Sequence, residues 1–208
     1  MEQVDALKKG LVEMITRPDD FFKKTAVQDA SYVLPLVILI ITGILLGAVV
    51  SKQLPLKEEQ WKKTGRDLAF NVEPQVKAEK AKATVFPFFT VGFFLVFNLC
   101  FGIVIHRLNG MGDFKGIFNC TSYLIYPYFV LALLKYLILF VPFLGFIYTL
   151  AMVVVTLGSA YLLVKIAQNA GQLDIMNAVV AALFPGFVFM LVWMSYDIVI
   201  QLLVQRFA

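Results

Sequence analysis

The sequence predicts an all-α membrane protein: a polytopic helical bundle with five transmembrane helices and an N-terminal amphipathic interfacial helix. Two observations carry this. Of 208 residues, 60% are hydrophobic and 15% charged, against roughly 45–50% and about 25% in soluble domains. The charges are also gathered so that five long stretches contain none: 31–50, 84–105, 116–134, 136–164 and 175–196. About 20 apolar residues at 1.5 Å per residue cross a hydrocarbon core of about 30 Å. Backbone groups in lipid must be paired within their own segment, so each stretch should be helical. The β-barrel alternative requires short alternating strands, and no such alternation is present. A disordered tail, a disulfide scaffold and an ordinary water-soluble enzyme are excluded by the same composition.

The first element is an amphipathic segment over residues 1–30. Val4, Leu7, Leu11, Met14 and Ile15 recur at helical spacing, with Asp5, Lys8, Lys9 and Glu13 between them, and Arg17-Pro18 stops that helix. Two readings stand: a helix lying in the membrane surface, or a helix packed across the end of the bundle. The first apolar run, from residue 31, exceeds the core of a cleavable signal peptide and reads as a signal anchor.

The membrane domain then occupies 31–208, with spans expected at 31–51, 84–105, 116–139, 145–165 and 178–203. The run 136–164 is too long for one upright helix. The turn is expected at Val141-Pro142-Phe143-Leu144-Gly145, where proline and glycine both interrupt helix. Lys135 then falls near the end of span three, where its long side chain can snorkel to the interface. Pro127 lies deep enough to kink that span, whereas Pro35 and Pro87 sit in early positions where proline is tolerated. Between spans one and two, residues 52–83 form the only large hydrophilic segment, with eight basic and five acidic residues. Glu58/Lys62, Glu59/Lys63 and Glu73/Lys77 are i,i+4 pairs in the favourable order, which predicts two short surface helices broken at Asn71 and Pro74.

Charge does not orient the chain. Eight basic residues fall on the side of the N-terminus, and eight in the 52–83 segment with Arg206 on the other, so the positive-inside rule favours neither orientation. The net charge of +4 favours anionic lipid as a partner; nucleic acid is not expected, because no basic stripe interleaved with aromatics lies outside the spans.

No catalytic set, cofactor site or metal site is expected. His106 is the only histidine, and Cys100 and Cys120 are separated within spans, which supplies neither a triad nor a first metal shell. Gly110-Met-Gly112-Asp-Phe-Lys-Gly116 has the look of a phosphate loop, but a membrane span precedes it where a strand is required. Among intramembrane polar residues, Asp197, Gln201 and Gln205 share one stripe of the last helix. They line a water-filled path, or they mark where that helix leaves the membrane. Asn98 and Asn119 read as interhelical hydrogen-bonding residues. Gly43-x-x-x-Gly47 offers a close-approach face with no partner specified.

The stretch His106-Arg107-Leu-Asn-Gly110-Met-Gly112-Asp-Phe114-Lys115-Gly116, followed by Tyr123-Leu-Ile-Tyr126-Pro127, resembles the signature of the Yip family of Ypt/Rab-interacting proteins. Arg17-Pro18 with Phe21-Phe22, Pro142-Phe-Leu-Gly145 and the five spans agree with it, so the resemblance covers nearly the whole chain. It implies a cytosolic N-terminus and glycine loop, with 52–83 and the C-terminus on the far side. Gly110 and Gly112 are expected to make a tight link that sets spans two and three antiparallel and adjacent, with Phe114 re-entering the interface and Arg107 and Lys115 at headgroup level. The acidic Tyr-Gly-Pro motif of the longer eukaryotic N-terminus is absent, which argues against a Rab-like GTPase partner and for a prokaryotic homologue in the inner membrane. The expected role is that of a non-enzymatic organiser of bilayer shape or of partners, namely membrane lipids, other membrane proteins or a second copy of the chain. The alternative is a small transporter, channel or lipid-moving protein using the Asp197 stripe.

Overall fold

Two long antiparallel helices form the spine of the molecule, and the remaining elements pack on one side and one end of it. The computed structural model describes residues 2–27, 33–68 and 73–188, with Leu191 and Ile198. Its elements are α1 (Glu2–Thr16), α2 (Pro18–Ala26), α3 (Val33–Leu68), α4 (Glu73–Arg107), α5 (Phe114–Ser122), α6 (Ile125–Ile138) and α7 (Leu144–Asn169), then an apolar helix α8 (Ile175–Val188). Among the described residues, four segments are long and apolar enough to cross a membrane: Val33–Lys63, Gln75–Arg107, Phe114–Ile138 and Leu144–Asn169. The expected fifth span, 178–203, is described over its first part by α8.

The hydrophilic segment 52–83 does not form separate surface helices. It continues α3 and α4, which reach 36 and 35 residues. A 36-residue helix is about 54 Å long, well beyond the hydrocarbon thickness of about 30 Å. The pairs Glu58–Lys62 (2.6 Å), Glu59–Lys63 (2.8 Å) and Glu73–Lys77 (3.0 Å) support each helix from within. Lys57–Glu79 at 3.2 Å ties one to the other.

Inside the membrane region, the partner of the Gly43/Gly47 face is α4. A Cβ on Gly43 would fall 2.4 Å from the Pro87 Cα, and one on Gly47 2.4 Å from the Ala83 carbonyl oxygen. Pro87 has no N–H to return to that carbonyl, so the Gly47 backbone approaches an oxygen its own helix leaves without a donor at i+4. Thr90 closes the contact by donating from Oγ1 to the Leu39 carbonyl at 3.1 Å.

Span three is two helices. Tyr123 and Leu124 donate to Cys120 and Thr121 at 3.3 and 2.9 Å, a tightened turn that ends α5. Pro127 then sits in the first turn of α6, where its missing N–H has no intrahelical acceptor to lose. The chain reverses between Ile138 and Leu144, and α7 exposes Val153, Val154 and Leu157, side chains that require a lipid environment. Asp174 caps α8, its Oδ1 accepting from the Met176 and Asn177 backbone at 3.0 and 3.1 Å. These donors, Asn177 foremost, hold its carboxyl below the ordinary range.

The largest core lies at the end of the bundle nearest the N-terminus. Met14, Phe21 and Phe22 bury against Phe101 and Ile105 of α4, Ile117 and Cys120 of α5, Ile166 of α7 and Ala178 of α8. The residue before a proline is pushed out of the helical region: Arg17 has φ −140° and ψ 63°, and Pro18 opens α2. The amphipathic helix itself is α1, which buries Met14 in this core and exposes Val12 and Ile15, while α2 after it packs across the bundle end through Phe21 and Phe22.

Candidate interaction surface at the N-terminal end of the bundle

Three segments meet at this end: α2, the link 108–113 and the turn 170–174. Sequence order explains none of their proximity, since each is carried in by a different span. Asp19, at the N-terminus of α2, accepts from Asn169 Nδ2 at 2.8 Å and pairs with Lys165 at 3.0 Å. These contacts, the Asn169 hydrogen bond most of all, hold the Asp19 carboxyl below its ordinary value. Phe22, at i+3 from Asp19, is fully buried, and Phe21, turned away from Asp19, meets the Tyr123 ring edge-on at 4.9 Å. The Cys120 thiol donates to the Phe22 carbonyl at 3.6 Å. Salt bridge and aromatic wedge together fix α2 against the bundle.

The glycine link is held by steric fit. No glycine among the described residues has a positive φ; Asn109 (φ 63°) and Gln172 (φ 55°) occupy the left-handed region instead. A Cβ on Gly110 would meet the Gly171 carbonyl oxygen at 2.7 Å, and one on Gly112 the Ala170 carbonyl oxygen at 2.0 Å. The Gly112 N–H donates to the Gly171 carbonyl at 3.3 Å. Gly116 meets the Ala26 carbonyl in the same way, at 2.7 Å. The link is tight because the backbones of three segments touch, and only glycine leaves room for that.

The expected residues therefore divide by role. Gly110, Gly112, Tyr123, Tyr126 and Pro127 are buried or half-buried scaffold, with the Tyr123 and Tyr126 rings 6.0 Å apart. Phe114 packs its ring over Gly102 while remaining 39% exposed. His106, Arg107 and Lys115 are exposed, as is Met111. Lys23 and Lys24 add positive charge from the last turn of α2. A groove of about 490 Å³ runs between Lys23, Val27, Met111, Asp113, Asn169 and Gln172.

Asn98 and Asn119 lie inside the bundle, both buried. Thr121 donates to Asn98 Oδ1, and Asn98 Nδ2 donates to the Phe94 carbonyl at 2.8 Å, which joins α4 to α5. Asp197, Gln201 and Gln205 lie outside the described residues. Among the described residues no three His, Cys, Asp or Glu side chains converge as a metal site would require.

Asp19, Asn169, Gly171 and Thr121 have no signal in the sequence. Asp19 reads as an ordinary first-turn acid beside Asp20, and its partners lie 146 and 150 positions away.

No curated protein and no solved structure matches the chain. The Yip1 domain matches it over residues 12–196, which takes in α2, the glycine link, the turn 170–174 and all four long apolar segments. Yip-family proteins take part in membrane trafficking and are generally non-enzymatic. With a family match over most of its length and several helices able to cross a bilayer, this chain belongs to the Yip1-domain family of multi-pass membrane proteins.

Proposed function

We propose that the protein is a non-enzymatic membrane organiser that docks other membrane proteins on the end of the bundle built from α2, the glycine link and the turn 170–174. The observation that supports this reading is that α2 is fixed to the bundle by both a polar and an apolar contact, Asp19–Lys165/Asn169 and Phe21/Phe22, while His106, Arg107, Met111 and Lys115 are exposed. A surface held rigid before contact loses little conformational entropy on binding. Its basic residues suit an acidic partner face, and Met111 supplies an adaptable apolar contact.

In this reading the face lies in the cytosol of a prokaryotic inner membrane. Val12 and Ile15, exposed on α1, rest in the headgroup layer. A Rab-like GTPase is not the partner proposed. The test is cross-linking in native membranes, followed by mild-detergent purification and mass spectrometry, with the Arg107→Glu/Lys115→Glu double variant beside the unaltered protein. Partner recovery is expected to fall at least about tenfold, as expected for reversing two interfacial charges, with unchanged thermal unfolding of the bundle. Equal recovery from both proteins would remove the assigned surface.

A further inference from the structure

Two pairs of opposite charge in the N-terminal segment stay open where others of the same spacing close. Glu58/Lys62, Glu59/Lys63 and Glu73/Lys77 stand at i,i+4 with the acid first, and they close to 2.6, 2.8 and 3.0 Å. Glu13/Arg17 and Asp20/Lys24 have the same spacing and order. None of these four side chains forms an ion pair or a hydrogen bond among the described residues.

All four line one groove of about 530 Å³, together with Thr16 and the buried Phe21. The backbone at Arg17 shapes it. A φ of −140° and ψ of 63° turn the chain there between α1 and α2, so Glu13 arrives from one helix and Asp20 and Lys24 from the other. Thr16 Oγ1 donates to the Val12 carbonyl at 2.8 Å, which leaves the four charged side chains to meet a ligand.

Depth says what kind of ligand can arrive. Lys165 is the first charged residue of α7 and lies 21 residues after Leu144, about 32 Å along the helix, where a hydrocarbon core of about 30 Å ends. Asp19 pairs with Lys165 at 3.0 Å, which sets Pro18 and Asp20 beside it at headgroup depth. Val12 and Ile15, exposed on the last turns of α1, give acyl chains an apolar path next to the groove. Charge says the rest. Two cations and two anions match a ligand with one charge of each sign, whereas an anion alone would face Glu13 and Asp20. A primary ammonium donates hydrogen bonds to those carboxylates, and a quaternary one has no N–H to give.

We propose that the groove between α1 and α2 holds the headgroup of a zwitterionic phospholipid with a primary ammonium, phosphatidylethanolamine. Its phosphate oxygens accept from Arg17 and Lys24, and its ammonium donates to Glu13 and Asp20. This site does not depend on the partner surface at Arg107 and Lys115.

The test uses the full chain in mixed micelles holding equal amounts of phosphatidylethanolamine, phosphatidylglycerol and phosphatidylcholine, with lipid retention read by native mass spectrometry. The unaltered protein is expected to retain phosphatidylethanolamine about fivefold over either other lipid, the scale for two exposed ion pairs. Glu13→Gln/Asp20→Asn should lose that preference and retain phosphatidylglycerol at least as well. Arg17→Gln/Lys24→Gln should retain phosphatidylethanolamine no better than phosphatidylcholine, and Arg107→Glu/Lys115→Glu should behave as the unaltered protein does. Millimolar O-phosphoethanolamine should leave the retained lipid in place, because its acyl chains stay on α1; displacement assigns the groove to a soluble zwitterion and overturns the lipid as occupant. Equal retention of the three lipids by the unaltered protein overturns the proposal without any variant, as does an unchanged preference in a folded Glu13→Gln/Asp20→Asn protein.

Discussion

Asp19 and Lys165 stand 146 positions apart in sequence and 3.0 Å apart in space. Their pairing pins the first turn of α2 to the last two turns of α7, so the N-terminal segment is part of the bundle. Asp19 is 52% exposed, and solvent screens such a pair to about 0.5 kcal/mol. Asp19→Ala should therefore leave global unfolding almost unchanged while amide exchange within α2 accelerates severalfold. Equal protection of α2 in both proteins would show that Phe21 and Phe22 suffice to hold it.

The same carboxylate sets an acid limit. Hydrogen bonds from Asn169 first and Lys165 second lower its folded pKa below the ordinary 3.8. A lowered folded pKa means the contribution is present above the unfolded value and lost as pH falls through the folded one. Exchange protection of α2 should be level from neutral pH to the unfolded value, then decline below 3.8 as the carboxylate takes up its proton. In Asp19→Asn that acid step should be missing, and its persistence would assign it to another carboxylate.

Gly112 separates steric need from backbone freedom. Its missing Cβ would overlap a backbone carbonyl at 2.0 Å, with no flexible side chain to yield. Gly112→Ala should cost about 1–3 kcal/mol, the range for overpacking. Gly158→Ala is the control: a Cβ there meets nothing within 4 Å, and within a helix alanine is favoured by up to about 1 kcal/mol. Thermal unfolding in nanodiscs should rank Gly158→Ala at or above the unaltered protein and Gly112→Ala well below it.

What is legible in the sequence follows the range of the interactions involved. Charge-free stretches are local, and they announce spans at 31–51, 84–105, 116–139 and 145–165, which overlap the apolar helices 33–63, 75–107, 114–138 and 144–169. The proline-glycine run after Phe140 likewise announces the reversal before Leu144. The extent of α3 and α4 is hidden because a cluster of charged residues suggests the end of a membrane helix. Such residues end only the apolar part, and Glu58–Lys62 and Lys57–Glu79 carry the helices onward. The glycine link is recognisable as a motif, yet the reason for its glycines lies in Ala170 and Gly171, some sixty residues further along. No spacing rule reaches that far.

Asn98 and Thr121 form the polar link between α4 and α5. Both side chains are buried, so Thr121→Val would strand the Asn98 carbonyl oxygen in a place water cannot reach. Interhelical hydrogen bonds in membranes are worth about 0.6–2 kcal/mol, and unfolding in bicelles should show a loss in that range. Asn98→Leu should cost a similar amount, and the Asn98→Leu/Thr121→Val double variant less than the sum of the two. Strict additivity would mean the two groups do not act as a pair.

Phe22 gives the sharpest test of how the N-terminal segment is held. It is wholly buried among α4, α5 and α7, and its carbonyl accepts from Cys120, whereas Ile15, one helix earlier, is 73% exposed. Truncating a buried phenylalanine costs about 3–5 kcal/mol, because transfer energy is lost and a cavity remains. Phe22→Ala should therefore lower the unfolding midpoint far more than Asp19→Ala, and limited proteolysis should then cut within 17–27. Ile15→Ala should leave that midpoint where it is. If Phe22→Ala instead unfolds at the unaltered midpoint with 17–27 still protected, α2 is anchored through its polar side, and the aromatic wedge only fills space.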